Sequence, residues 1–308
     1  MASKTKNVRI GLNCALSTPF TKEGGIDLRR ITAHAAAVIE RGCDGITVFG
    51  TTGEGASIAV PERYQALAAL ASSGMPLRQQ VIAGVAAATM HDTVEQARAA
   101  YDMDCRGLLL APPFYFGNAG DDGLFRFFAS VFERLGGDLR DVILYHIPGM
   151  TRNGISVELT QRLVKAFPGA VIGIKDSNGD WPATERRLRE LTGLQVLVGD
   201  ERQLANAVRH GGAGTICGLA NIAPDLLRPL AHSGKEDKRV NAMVEAILGY
   251  SFMSAIKAMV GEQRGDPAWR IMRAPLEPLS AADTRKLAGK LAAVRNGGAA
   301  AKPQAKAA

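Results

Sequence analysis

Residues 170–180 read AVIGIKDSNGD, and a lysine closes the apolar run Val171-Ile172-Gly173-Ile174. Lys175 at the end of such a run either carries its ammonium out to solvent on a long stem or stands among reacting groups. Other stretches with chemical potential also follow apolar runs. Gly50-Thr51-Thr52-Gly53-Glu54-Gly55 lacks the GK[ST] ending of a nucleotide-binding loop. It is either an ordinary connection or a cradle in which two hydroxyls and backbone amides receive a carboxylate. In Ala111-Pro112-Pro113-Phe114-Tyr115-Phe116 a proline pair fixes the direction of an aromatic cluster. Tyr145-His146-Ile147-Pro148 offers a phenol or a packed core tyrosine. Gly199-Asp200-Glu201 and Gly214-Thr215-Ile216-Cys217-Gly218 complete the set.

The elements that must position these residues alternate. Short apolar runs near 10–16, 45–49, 80–84, 107–111, 141–145, 170–174, 194–198 and 213–217 predict strands. Segments of helical period at 28–41, 61–72, 91–103, 122–135, 156–167, 181–191, 201–210 and 223–232 lie between and after them, with starts marked by Pro61-Glu62, Asp92, Ser156 and Pro182. Eight β-then-α units predict an α/β fold, a closed (β/α)₈ TIM barrel over residues 8–234, whose reacting groups gather at the carboxyl ends of the strands. An open doubly wound sheet is weaker, because no strand is followed by G-x-G-x-x-G. Beyond the barrel, Val240, Met243, Val244, Ile247, Leu248, Phe252, Met253, Ile256 and Met259 recur at helical spacing. They predict one amphipathic helix, followed by another at 280–294, in an extension over 235–296 that packs on the barrel. Residues 297–308 read as a disordered tail.

With 308 residues, 46% of them hydrophobic, the chain can bury a sizeable core. Its net charge of +7 is concentrated at the ends: without Lys4, Lys6, Arg9, Lys302 and Lys306 it falls to +2. No basic run is interleaved with aromatics, so no nucleic-acid partner is expected. No stretch approaches ~20 apolar residues, so no membrane span is expected either. Asn7, Arg9, Gly11 and Asn13 interrupt any leader-like apolar segment. Cys14, Cys43, Cys105 and Cys217 are scattered among apolar residues and read as reduced thiols of a cytoplasmic protein. The five histidines lack ligand spacing, and no metal site is expected.

Taken in order over residues 8–280, these stretches resemble the dihydrodipicolinate synthase / N-acetylneuraminate lyase family of pyruvate-dependent class I aldolases. The residues carrying the resemblance are Ser17-Thr18-Pro19-Phe20, Gly50-Thr51-Thr52-Gly53-Glu54, Pro113-Phe114-Tyr115, Tyr145 with Pro148, Gly173-Ile174-Lys175, Gly199-Asp200, and Gly211-Gly212 before Ile216. The resemblance implies a lyase acting on pyruvate and an aldehyde, with no cofactor and no metal. A lysine between barrel strands loses hydration, and its neutral amine attacks a keto carbon. Lys175 would form the Schiff base. Tyr145 would be the acid/base, linked through Thr51 to Tyr115, which in the family reaches in from a neighbouring subunit. A homotetramer is therefore implied. Thr51 and Thr52 would bind the pyruvate carboxylate, and the backbone of Ile216 would close over the pyruvate end.

The chain departs from the pattern at Met150, where dihydrodipicolinate synthases carry the arginine that grips aspartate semialdehyde. Arg152 is a candidate substitute, and His146 a second donor or a packed ring. Ser177, Asp200, Glu201 and Thr215 fall where sugar-acid aldolases of the family bind polyols. The leading expectation is therefore a 2-keto-3-deoxy sugar acid or similar hydroxy keto acid, and the alternative is dihydrodipicolinate synthase itself. A non-catalytic keto-acid sensor would not need Lys175, Tyr145, Thr51 and Tyr115 together. A sugar-phosphate enzyme would use Gly211-Gly212-Ala213-Gly214 for phosphate.

Overall fold

The computed structural model describes residues 9–297, so the tail expected over 297–308 lies outside the described residues apart from Gly297. Eight parallel strands close in chain order: β1 (Gly11–Ala15), β2 (Gly45–Val48), β3 (Val81–Val85), β4 (Gly107–Leu110), β5 (Val142–His146), β6 (Val171–Asp176), β7 (Gln195–Val198) and β8 (Gly214–Cys217). The ring is sealed by pairing β8 to β1. All eight fall within two residues of the runs read from sequence.

Helices Leu28–Glu40, Val60–Ser72, Met90–Asp102, Asp121–Leu135, Val157–Ala166, Trp181–Glu190, Leu204–Arg209 and Pro224–Ser233 clothe the outside of the barrel. Three begin where a short polar side chain accepts an otherwise orphaned N–H: Asp27 from Arg30, Thr89 from Asp92, and Ser156 from Leu159. Apolar side chains form two layers. Ala15, Ile82, Leu109, Ile143, Leu197 and Ile216 fill the barrel interior with Tyr145, while alternate residues such as Cys14, Ile46, Leu108, Leu144 and Ile174 pack outward on the helices.

One irregularity falls in β6. Val142 pairs with Val171, but Ile143 pairs with Gly173, leaving Ile172 as an extra residue. Regular pairing from Val171 would bring Ile174 opposite Tyr145. With the bulge, Lys175 takes that place.

The extension differs from expectation in two respects, the first being Leu248, which the expected apolar stripe included and which is exposed at the end of its helix. The second is that the expected single helix is two, Lys238–Leu248 and Phe252–Arg264, bent by 115°. The break falls at Gly249-Tyr250-Ser251, where glycine weakens the helix and the chain turns to keep both apolar faces on the barrel. Met243, Val244, Ile247, Ile256 and Met259 are buried in the outer layer as the spacing required. Helix Ala281–Arg295 follows. Among the described residues no single helix is long and apolar enough to cross a membrane. The four cysteines are free and buried.

Candidate active site

At the carboxyl end of the barrel the β5–β6 register sets Tyr145 beside Lys175, both pointing inward. Lys175 Nζ donates to Tyr145 Oη at 3.2 Å and lies 4.2 Å from the centre of its ring. The Tyr145 hydroxyl is also 3.3 Å from Thr51 Oγ1. Lys175 is only 5% exposed, so the snorkelling alternative does not describe it. The three groups form a chain of exchangeable protons from an amine through a phenol to an alcohol, the order a proton relay requires.

Thr51 stands on a compact turn, in which Gly53 and Gly55 donate to the Gly50 carbonyl and Glu54 to that of Thr51. Glu54 pins this turn from outside the barrel. Its fully buried carboxylate accepts from Lys257 Nζ at 2.6 Å and from the Arg273 N–H at 3.2 Å. Thr52 and Ile216 are buried nearby, on the β2 turn and in the interior layer. Gly199 follows β7 and lies against Lys175: a Cβ there would lie 2.0 Å from Ser177 Oγ and 3.1 Å from Lys175 Cε. Only glycine leaves both side chains their positions.

A cavity of about 360 Å³ opens beside Thr51 and Tyr145, with Phe114, Met150, Met253 and Leu276 in its wall. Met150 is 56% exposed there. Arg152 packs over Gly117 instead, outside the cavity wall. The cationic side chain in the wall is Arg273, whose guanidinium is engaged by the Gly24 and Ser57 carbonyls and by Glu62 and stacks on Phe20.

Other sequence-derived candidates are not gathered with these. Tyr115 and Phe116 are each 81% exposed and stack edge to face on one another, and Tyr115 is not among the residues lining the cavity beside Thr51. Asp200 is held by Arg202 at 2.7 Å. Glu201 is buried and accepts from Leu219 N–H, and Thr215 donates to the Val198 carbonyl. Ser177 shares with Lys175 the space left open by Gly199. Gly212 and Ala213 sit before β8, at the amino end of the barrel, and offer their carbonyls to Arg9. Carbonyls repel phosphate, so that phosphate site is not formed.

His146 points outward and accepts at Nδ1 from Ile155 N–H at 2.9 Å. Burial, helped by the nearby Arg187 charge, lowers its pKa to about 4, which leaves the ring neutral and packed. Sequence reasoning missed Asp176 and Arg187, a buried pair at 3.0 Å directly behind Lys175, as well as Lys257. The available signal for Asp176 was strand alternation: an acid following an inward lysine must face the helices and find a partner there.

The dihydrodipicolinate synthetase family model matches residues 9–294. A 4-hydroxy-tetrahydrodipicolinate synthase of Streptomyces coelicolor is 33% identical over 91% of this chain and 91% of its own length. An uncharacterized DapA-like lyase of Chloroflexus aurantiacus is 31% identical over 88% of this chain and 92% of its own. Among solved structures, dihydrodipicolinate synthase from Agrobacterium tumefaciens is 42% identical, with a TM-score of 0.90 over 93% of this chain and 99% of that one. A 2-keto-3-deoxygluconate aldolase of Sulfolobus shares the fold, with a TM-score of 0.81 at 23% identity over 93% of this chain and 97% of its own. Matched along nearly its whole described length in sequence and in barrel architecture, the chain belongs to the dihydrodipicolinate synthetase family and is a lyase.

Proposed function

We propose that the chain makes or breaks the carbon–carbon bond of a 4-hydroxy-2-keto acid through a Schiff base on Lys175. The observation that carries this reading is the contact of the buried Lys175 amine with the Tyr145 hydroxyl. The amine adds to the keto carbon of pyruvate, and the Tyr145 hydroxyl protonates the departing oxygen, so that water leaves, an iminium forms and Tyr145 is left as a phenolate. The phenolate takes a proton from the methyl carbon, giving an enamine that attacks an aldehyde; the reformed phenol protonates the new alkoxide, and water adds to the iminium to release the product and the free lysine. Cleavage is the same sequence reversed. Thr51 and Thr52 hold the carboxylate, with the Ile216 backbone behind the pyruvate end. Tyr115 of a neighbouring copy completes the relay in a homotetramer, a reading supported by its exposed position beside Phe116. Four free buried thiols support a cytoplasmic setting.

Incubation with pyruvate and borohydride should attach a reduced pyruvyl group to the peptide carrying Lys175. Protein that stays unmodified, or that is labelled on another lysine, would sink the proposal.

The product side favours a hydroxy keto acid, of which a 2-keto-3-deoxy sugar acid is one. Met150 stands in the cavity wall where an arginine would grip a second carboxylate, while the Ser177 hydroxyl lies close to Lys175. Identity with the Agrobacterium synthase favours a second reading, condensation of pyruvate with aspartate semialdehyde. Met150→Arg separates them. A charge-assisted pair contributes ~1.5–3 kcal/mol, about one to two powers of ten in selectivity. The variant should gain that factor in kcat/KM for aspartate semialdehyde relative to a hydroxylated aldehyde. A parent enzyme that already prefers aspartate semialdehyde, and loses the preference on Arg152→Ala, would favour the second reading.

A further inference from the structure

The bulge that brings Lys175 opposite Tyr145 is also a weak point, because an unpaired residue interrupts the ladder three positions before the nucleophile. Something has to hold the last residues of β6 in that register. Gly173 fixes the near side: a Cβ there would meet the Gln195 carbonyl at 2.3 Å, so β6 and β7 approach closely. The far side is held by a buried polar chain on the outer face of the barrel. Asp176 Oδ2 accepts from Arg187 Nη1 at 3.0 Å and from Thr184 Oγ1 at 3.0 Å. Arg187 Nη2 donates to the Ile155 carbonyl at 3.0 Å, and Ile155 N–H donates to His146 Nδ1 at 2.9 Å. The main chain closes the circuit, with Ser177 N–H on the His146 carbonyl at 2.9 Å and Gly199 N–H on that of Asp176 at 2.7 Å.

The circuit thus joins the residue after Tyr145 to the residue after Lys175, and both to helix Trp181–Glu190. Asp176, Arg187, Thr184 and His146 are all buried. A fully enclosed arginine–carboxylate pair adds little net stability over an apolar pair, yet its geometry is directional, so it suits setting a position more than gluing a fold. We propose that Arg187 is a positioning residue: through Asp176 and Ile155 it holds Lys175 in register with Tyr145, and so controls proton transfer between iminium and enamine.

The test uses the full-length protein with pyruvate alone, and it depends on the Schiff-base reading for its signal. Deuterium exchange at the pyruvate methyl reports enamine formation, cyanoborohydride labelling reports the imine, and thermal unfolding reports the fold. Arg187→Met leaves the Asp176 carboxylate buried without its counter-charge, held by Thr184 Oγ1 and the Asn178 N–H, so it is compared with Asp176→Asn/Arg187→Met, which removes both charges, and with Arg187→Lys. In the neutral double variant the unfolding midpoint should return to near the parent value, while the maximum exchange rate stays down by about tenfold or more, as a misplacement well under 1 Å can cause. Half-saturating pyruvate should be unchanged. Arg187→Lys, which keeps the charge without the planar fork, should fold, exchange more slowly than the parent and faster than the methionine variant; it carries the test if the neutral variants do not fold. Exchange that recovers together with the midpoint in the double variant, or a loss confined to half-saturation, or a lysine variant with parental exchange, would overturn the proposal. A parent that fails to label Lys175 would overturn the Schiff-base reading itself, which is a different result from a labelled parent whose Arg187 variants match it.

Discussion

Tyr145→Phe is expected to fold like the parent and to slow deuterium exchange at the pyruvate methyl by ~10²–10⁴-fold, the contribution of a positioned general acid or base. Phenylalanine keeps the buried ring in the interior layer and the face over which Lys175 Nζ sits at 4.2 Å. What it removes is one oxygen, the atom that receives Lys175 Nζ at 3.2 Å and stands 3.3 Å from Thr51 Oγ1. The amine can still add to pyruvate, so borohydride labelling of Lys175 should persist at longer incubation. Exchange within a few-fold of the parent would show that another group moves the proton. An unlabelled variant with a lowered unfolding midpoint would instead point to loss of packing. The contrast between a retained label and a lost exchange is what identifies the phenol as an acid/base.

Much of this arrangement was legible in the chain because it is local. Strand runs of four to six apolar residues alternate with helical periods, and a lysine, a tyrosine and a threonine each follow such a run, so a barrel brings their strand ends together. The facing direction was not legible. The run Val171-Ile172-Gly173-Ile174 is apolar throughout, with no alternation to say which residues point inward, and the extra residue at Ile172 reverses the phase that simple counting from Val171 would give. Partners distant in sequence were equally hidden. Asp176 announces a need for a cation, but several arginines on helix Trp181–Glu190 could serve, and only packing selects Arg187 over the exposed Arg186 and Arg189. The break at 249–251 escaped because the apolar spacing continues across it, so one helix and two bent helices write nearly the same pattern. Glu54 read as part of a substrate loop, since nothing near it in sequence shows that its partner lies 203 residues away.

That distant partner leads to the largest expected effect on stability, in Lys257→Met. Lys257 Nζ is fully enclosed, donates to Glu54 Oε1 and to the Ile271 carbonyl, both at 2.6 Å, and lies 4.4 Å from the centre of the Phe20 ring. Burial pushes the Lys257 ammonium below its ordinary pKa, and the Glu54 carboxylate opposes that shift. Methionine fills the same channel but leaves the carboxylate with the Arg273 N–H. Breaking a buried pair in this way costs ~3–5 kcal/mol, most of it for the charge left without a partner. Glu54→Gln/Lys257→Met removes that charge while the amide oxygen still accepts from Arg273, so the double variant should recover most of the lost stability. Chemical unfolding of both variants measures the difference, and a single variant within about 1 kcal/mol of the parent would defeat the argument. The same pair also ties the turn carrying Thr51 to the extension helix Phe252–Arg264 and to the segment through Arg273 that walls the cavity. The single variant should therefore loosen the Thr51 turn before the barrel itself unfolds, seen as faster amide exchange at residues 50–55 than in the strands.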